Sequence, residues 1–200
     1  MAAPLPAQTP ASVDSAWILS RLAQPAPMRT SFVEVRGSRL LKNPLRISGE
    51  YRRPDRDTLV REVHAPYAET TTLKGDQARI ERPGRAAREF SLGRAPQLAG
   101  MQAGFGALLR GDQAAIARDF ALDVSGVRAQ WTLRMTPKQA VLRQHVRDIV
   151  LYGRGSELRC IETRPVRGDE VQRTLLASAA RSVMPATSVA HIARLCQTGQ

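Results

Sequence analysis

The sequence lacks the residue patterns that mark the common enzyme classes. Its 200 residues contain no GxSxG, GxxxxGK[ST], GxGxxG or HExxH motif, so no serine hydrolase, phosphate loop, dinucleotide site or zinc protease is indicated. The three histidines, His64, His145 and His191, are far apart, and the two cysteines form no CxxC pair. The sequence therefore predicts no enzymatic activity, no metal site and no cofactor.

Long apolar segments are missing too. No stretch reaches the roughly eighteen apolar residues of a membrane-spanning helix, and the most apolar helical segment, residues 98–109, contains three glycines. The first residues, MAAPLPAQTPAS, have neither the basic start nor the apolar middle of a signal peptide. They fit the start of a mature secreted chain and a cytoplasmic leader equally well.

Aromatic residues and lysine are scarce, whereas arginine is abundant. Aromatic residues make up 4% of the chain, and of thirty basic residues only Lys42, Lys74 and Lys138 are lysine. The net charge of +12 favours anionic partners, such as nucleic acid, phospholipid headgroups or an acidic protein. The arginines are scattered, with no run longer than Arg52–Arg53, which is more typical of a solvated face than of a nucleic-acid tract.

Most of the chain alternates apolar and polar residues as β-strands do. The pattern is clear in residues 45–52 and clearest in residues 130–136, with a turn predicted at Ser125–Gly126. About ten or eleven short strands follow one another at hairpin spacing, without βαβ alternation. We therefore expect a mainly β fold of the α+β class, an incomplete antiparallel β-barrel of ten to eleven strands with helices over its concave face.

Two helical regions interrupt the strand pattern. Ser12 or Asp14 is placed to cap a helix that ends at Leu22, and a second helical region spans residues 96–118, with Asp112 as a cap. Residues 189–195 predict a short C-terminal helix. We divide the chain into a flexible leader (1–11), a main domain (12–178) and a C-terminal tail (179–200).

Cys160 and Cys196 leave two possibilities open, two buried thiols or one disulfide. A disulfide would stabilise the fold by about 4 kcal/mol through loop closure. It would also tether the C-terminal tail and require an oxidising compartment.

The predicted sheet has more apolar surface than two short helices can cover. The surplus indicates a cavity, a partner surface or a segment wrongly assigned as a strand. The candidate wall residues are Phe32, Leu45, Ile47, Tyr51, Leu59, Val63, Trp131, Leu133 and Met135. The candidates for a helical lid are Phe105, Leu108 and Leu109.

Four segments together resemble a known family. They are ISGEYRRPDRDTLVREVHAPY, LKGDQARIERP, FALDVSGVRAQWTLRMTP and VRDIVLYGRGSELRCIE. Over residues 17–176 the chain resembles the periplasmic outer-membrane lipoprotein carriers of the LolA family. The specific matches are Gly49, the pair Arg53–Pro54, the turn Gly75–Asp76, and Trp131 with Leu133 and Pro137.

The resemblance implies a fold and a function. LolA-like proteins are incomplete antiparallel barrels under a helical lid, and they hold acyl chains in an apolar interior. The arginine of the Arg-Pro pair holds the lid by hydrogen bonding, a role that falls on Arg53. The implied protein is a monomeric, non-enzymatic periplasmic carrier between an inner-membrane donor and an outer-membrane acceptor. Its cargo would be lipoprotein acyl chains or another lipid, or a polyene, as for relatives associated with aryl-polyene pigment biosynthesis.

Two alternatives stay open on the sequence alone. A basic β-surface module for nucleic acid would lose affinity steeply with salt, whereas a carrier would keep apolar cargo. A protein-interaction module would have its apolar face filled by a partner.

Overall fold

Eleven antiparallel strands form one sheet in the computed structural model of the protein, which describes residues 12–37, 44–92, 108, 112–168 and 171–199. The first six strands are β1 (Met28–Arg36), β2 (Leu45–Arg53), β3 (Thr58–Ala65), β4 (Glu69–Lys74), β5 (Gln77–Glu81) and β6 (Arg88–Ser91). The other five are β7 (Phe120–Val127), β8 (Gln130–Pro137), β9 (Val146–Arg154), β10 (Glu157–Pro165) and β11 (Gln172–Leu176).

The strand order across the sheet is β6-β5-β4-β3-β2-β1-β11-β10-β9-β8-β7. Within the described residues β6 and β7 are the two edges, so the sheet is open and not closed into a barrel. The predicted α+β fold with ten to eleven antiparallel strands is confirmed. The pairing of β1 with β11 joins the two halves of the chain into one sheet.

Five helices are described beside the sheet: α1 (Ser15–Leu22), α2 (Gln113–Asp119), α3 (Ala140–Arg143), α4 (Ala177–Arg181) and α5 (Val189–Gln197). Asp14 caps α1 by accepting the Trp17 N–H at 2.7 Å, and Asp112 caps α2 by accepting the Ala115 N–H at 3.0 Å. Both predicted caps and the predicted C-terminal helix are confirmed. The leader, residues 1–11, and most of the helical region 96–118 lie outside the described residues.

The two faces of the sheet are covered by different helices. Helix α1 packs Ile18 and Leu19 on the face that carries Leu133, which we call the inner face. Helices α4 and α5 pack on the opposite face, the outer face, which carries Val33 and Leu175. Helix α1 therefore covers the inner face as expected, whereas no face was predicted for the C-terminal helices. The outer face has its own apolar patch, and α4 and α5 bury it.

The predicted turn at Ser125–Gly126 is wrong, because β7 continues to Val127. Gly126 lies opposite Trp131 in the β7–β8 pair and has a φ of +95°. A Cβ atom at Gly126 would lie 2.3 Å from the carbonyl oxygen of Gln130. Glycine is therefore required here for the close approach of two strands and not for a turn.

A disulfide joins Cys160 of β10 to Cys196 of α5. Of the two possibilities left by the sequence, the bridge is the correct one. Both cysteines are buried in the outer-face cluster with Ile192 and Leu195 of α5. The bond thus fixes α5 to the sheet. The predicted boundary at residue 178 falls inside α4, and the division into domain and tail stays a prediction.

Candidate cargo-binding face

All nine predicted wall residues lie on the inner face. Directly paired residues of neighbouring strands point to the same side of a sheet. Cross-strand pairing links Phe32 to Gly49 and then to Val63, and Leu133 to Leu151 and then to Ile161. The remaining predicted wall residues follow from the two-residue period along each strand.

Helix α1 covers the half of the inner face formed by β7 to β10. Its residues Ile18, Leu19 and Leu22 pack in one cluster with Trp131, Leu133, Met135 and Leu151. Leu133 and Met135 are completely buried, and the Trp131 indole N–H donates to the Gly155 carbonyl oxygen at 2.9 Å. These three predicted wall residues lie under the helix, and their contact with cargo stays a prediction.

The other half of the inner face forms a second apolar cluster. It contains Phe32, Ile47, Tyr51, Leu59 and Val63, with Leu45 packed at its margin. The Phe32 and Tyr51 rings lie 4.8 Å apart between centroids. No residue of α1 or α2 belongs to this cluster among the described residues.

Two residues of β10 connect the halves of the inner face. Leu158 and Ile161 are partly buried, and each packs against both clusters. The two clusters are therefore joined through β10, and the residues of both are buried.

A pocket of about 330 Å³ opens where α1 ends. Its apolar lining comes from Leu22, Met28, Leu108, Leu158, Leu176 and Ala177, and Gln24, Arg29, Thr30, Ser156 and Glu157 add polar atoms. The volume lies at the lower end of the range for small-molecule sites. Of the three predicted lid residues, Leu108 lines this pocket, whereas Phe105 and Leu109 lie outside the described residues.

Arg53 holds the segment that follows α1. Its side chain is buried, and Nη1 donates to the Gln24 carbonyl oxygen at 2.8 Å, while Nε donates to the Asp55 carbonyl oxygen at 3.4 Å. Gln24 is itself a pocket residue. The neighbouring Arg52 points to the outer face and pairs with Glu62 at 2.7 Å. Arg53 therefore links the end of β2 to one wall of the pocket.

A buried charged cluster interrupts the apolar inner face. Glu34 and Arg61 are 1% and 8% exposed, and Arg61 Nη2 lies 3.5 Å from Glu34 Oε2. Arg36, at the end of β1, also pairs with Glu34, and the Arg61 guanidinium lies 4.8 Å from the Phe32 ring centre. Arg61 lies two residues from both Leu59 and Val63 on β3, so all three side chains point to the same face of the sheet. This spacing is the signal from which the sequence could have predicted an inward-pointing Arg61.

The environment of the charged cluster raises the pKa values of Tyr51 and Arg61. Burial, together with the negative charge of Glu34, raises the pKa of Tyr51 to about 12. Burial alone would lower the pKa of Arg61, but Tyr51 and Glu34 beside it raise that pKa above its usual value. Tyr51 is therefore neutral and Arg61 charged at physiological pH.

The described residues show no other chemical centre. They contain no group of three or more histidine, cysteine or acidic side chains placed to hold a metal ion. None of the described helices has the length and apolar character needed to cross a membrane. The candidate site is the inner face with its pocket.

Comparison with known proteins identifies the family. The model of the family described as "Outer membrane lipoprotein carrier protein LolA-like" matches residues 7–199. The chain belongs to this LolA-like family. Its members are carriers that bind lipid or lipoprotein, are generally not enzymes, and are typically periplasmic or extracytoplasmic. No curated protein is significantly similar to this LolA-like chain in sequence.

Several solved structures are similar to this LolA-like protein at low sequence identity. The LolA superfamily protein NE2245 from Nitrosomonas europaea is 11% identical, with 84% of this chain and 93% of that chain covered and a TM-score of 0.45. A chain of the Pseudomonas aeruginosa MucA/MucB complex is 17% identical, with 82% and 56% covered and a TM-score of 0.42. LprF from Mycobacterium bovis is 11% identical, with 88% and 97% covered and a TM-score of 0.37.

Proposed function

We propose that this LolA-like protein is a periplasmic carrier of acyl chains or another lipophilic cargo, such as a polyene. It receives the cargo from an inner-membrane donor and passes it to an outer-membrane acceptor. The observation that carries the proposal is the pocket at the end of α1, which adjoins the two apolar clusters of the inner face.

The pocket supports reversible binding. Each methylene buried from water contributes about 0.8 kcal/mol. Part of a single acyl chain in this pocket therefore gives a moderate affinity, and a carrier needs such an affinity to release what it has bound. The apolar side chains around the pocket, Leu22, Met28, Leu108, Leu158 and Leu176, match such a chain chemically.

Arg53 is the proposed gate. Its hydrogen bond to the Gln24 carbonyl oxygen holds the segment after α1 against β2, beside the pocket. Movement of this segment would widen the pocket and let the cargo leave. A charged donor in a buried hydrogen bond contributes about 1.5–3 kcal/mol, which is enough to set the rate of such a movement.

The disulfide supports a periplasmic location. Bonds of this kind persist in oxidising compartments and are rare in the cytosol. The carrier family to which the chain belongs is typically found in such compartments.

The first test is direct detection of cargo. The protein is purified, washed in high salt, extracted with organic solvent, and the extract is analysed by mass spectrometry. A near-stoichiometric lipid or polyene supports the proposal and names the cargo class. An empty extract, repeated after incubation with lipid vesicles, contradicts it and favours one of the two other classes, nucleic-acid or protein binding.

The second test uses two neighbouring arginines. Arg53→Leu should speed release of a fluorescent fatty acid by about tenfold, because the bond to Gln24 is lost. Arg52→Leu removes the same charge from the outer face and should leave release unchanged. Stopped-flow displacement measures both rates, and equal rates for the two variants would refute the gating role.

A further inference from the structure

The charged cluster around Arg61 is not explained by acyl-chain binding. Glu34 and Arg61 are almost fully buried on an apolar face, and removing charges from water carries a large desolvation penalty. Apolar residues of similar size would hold an acyl chain equally well without that penalty. The cluster therefore indicates a ligand with a polar part.

The cluster has more positive than negative charge. One carboxylate, Glu34, faces two guanidinium groups, Arg36 and Arg61. Thr174 donates its hydroxyl to Glu34 at 3.5 Å, so the carboxylate is already well supplied with donors. Arg61 Nη2 is buried and, among the residues that the structure describes, has no acceptor in hydrogen-bond geometry. An additional anionic acceptor would satisfy this donor and balance the charge.

Stacking explains only part of the placement of Arg61. Its guanidinium lies over the Phe32 ring, which stabilises a cation there. This contact uses the face of the guanidinium, whereas the N–H groups at its edge require acceptors. Tyr51 forms a hydrogen bond with one part of that edge, but Nη2 has no acceptor among the described residues. The unused donor therefore remains after the packing contact is counted.

The charged cluster and the pocket both lie along β1, on the inner face of the sheet. Thr30 lines the pocket, and Glu34 follows four residues later on β1 with its side chain on the same side. At the usual rise per residue these positions are ~13 Å apart. The side chain of Arg36 is 44% exposed, so the cluster has a solvent-facing margin at the far end of β1.

We propose that the inner face binds an amphiphile with an anionic headgroup, a carboxylate or a phosphate, which Arg61 and Arg36 recognise while the apolar tail extends along β1 into the pocket. This proposal rests on the proposed carrier function and adds the chemical class and the orientation of the cargo. In this proposal Arg61 contacts the headgroup, whereas Arg53 keeps its place beside the pocket that holds the tail.

The test compares ligands that differ only at the headgroup. The probes are cis-parinaric acid and its neutral methyl ester, with lysophosphatidic acid and monoacylglycerol as a second pair. The wild-type protein should bind each anionic ligand about tenfold or more tightly than its neutral counterpart, the effect of one charge-assisted hydrogen bond. Whichever pair shows the larger ratio distinguishes a carboxylate from a phosphate headgroup.

Arginine variants locate the source of the preference. Arg61→Met should lower the ratio severalfold, because Arg36, the remaining cation, also pairs with Glu34. Arg61→Lys, which keeps the charge, should retain part of the ratio. Arg52→Met loses the same charge from the outer face and should leave the ratio unchanged. If Arg61→Met does not fold, Arg36→Gln at the half-exposed margin should also lower the ratio.

The possible outcomes separate the two proposals. Equal affinity of the wild-type protein for anionic and neutral ligands overturns this inference and leaves the carrier function standing. An unchanged ratio in folded Arg61→Met overturns it as well. Failure to bind any of the four ligands overturns both proposals.

Discussion

Replacing Cys160 and Cys196 together by alanine should lower the free energy of unfolding by about 4 kcal/mol. The two cysteines are 36 residues apart in the sequence, and closing a loop of that length removes about 4 kcal/mol of chain entropy from the unfolded state. For a chain of this size such a loss corresponds to a fall of roughly 8–16 °C in Tm.

The structure predicts which part of the molecule is affected. The bond holds α5 against the outer face, where Ile192 and Leu195 are buried beside Val33 and Leu175. The pocket and the charged cluster lie on the inner face. Ligand binding below the Tm should therefore survive loss of the bond.

The measurement is thermal and denaturant-induced unfolding of the wild type, the double variant and the two single variants. Each single variant already lacks the bond, so the singles and the double should be destabilised to nearly the same extent. Thiol titration of the unfolded wild type confirms that the bond is present. Retained binding of cis-parinaric acid in the double variant checks the independence of the two faces.

Either of two results would refute this reasoning. If the free energy of unfolding of a fully disulfide-bonded wild type exceeds that of the double variant by less than about 1 kcal/mol, loop closure does not stabilise the fold as argued. If the double variant is folded but binds no ligand, the outer-face helices influence the inner face and the two faces are not independent.

Two further predictions concern single positions. Gly153→Ala should destabilise the fold by about 1–3 kcal/mol or more, since the new Cβ would lie 2.0 Å from the Trp131 ring. Gly155→Ala, with φ +52° and open space, is the matched control and should lose only about 1 kcal/mol in denaturant unfolding. Burial raises the pKa of Tyr51 to about 12, above the value of about 10 in the unfolded chain. The free energy of unfolding therefore keeps its full value below pH 10 and falls by about 3 kcal/mol as the pH rises from 10 to 12, because Tyr51 ionises first in the unfolded chain. In unfolding titrations Tyr51→Phe should lack this loss, and an identical pH profile in the variant would contradict the assignment.

Many strand positions could be predicted from the sequence because several strands show a clear two-residue period. The strand Thr58–Ala65 is an example, since its inward residues Leu59 and Val63 alternate with outward ones. The short helices α3 and α4 were not predicted. They have four and five residues, which is too short for a 3.6-residue period to become visible.

The side on which each helix packs could not be predicted from the same pattern. β1 carries buried residues on both faces, from Phe32 to Val35. Such a run shows that both faces are covered and does not show which helix covers which face. The pairing of Glu34 with Arg61 is similarly hidden, because it depends on the register of β1 with β2 and of β2 with β3. Only the inward parity of Arg61 was visible in the sequence.

Arg53 and Arg61 lie on the same face, yet their different contacts predict separable effects on binding. Arg53 is bonded to Gln24 at the pocket, where the tail is proposed to lie, and Arg61 belongs to the charged cluster. Arg53→Leu should therefore speed release of cis-parinaric acid and its methyl ester by the same factor. Arg61→Met should change only the ratio of their affinities. If Arg53→Leu changes that ratio, or Arg61→Met speeds release of the ester, tail and head are not held at these two separate places, and the proposed orientation of the ligand is wrong.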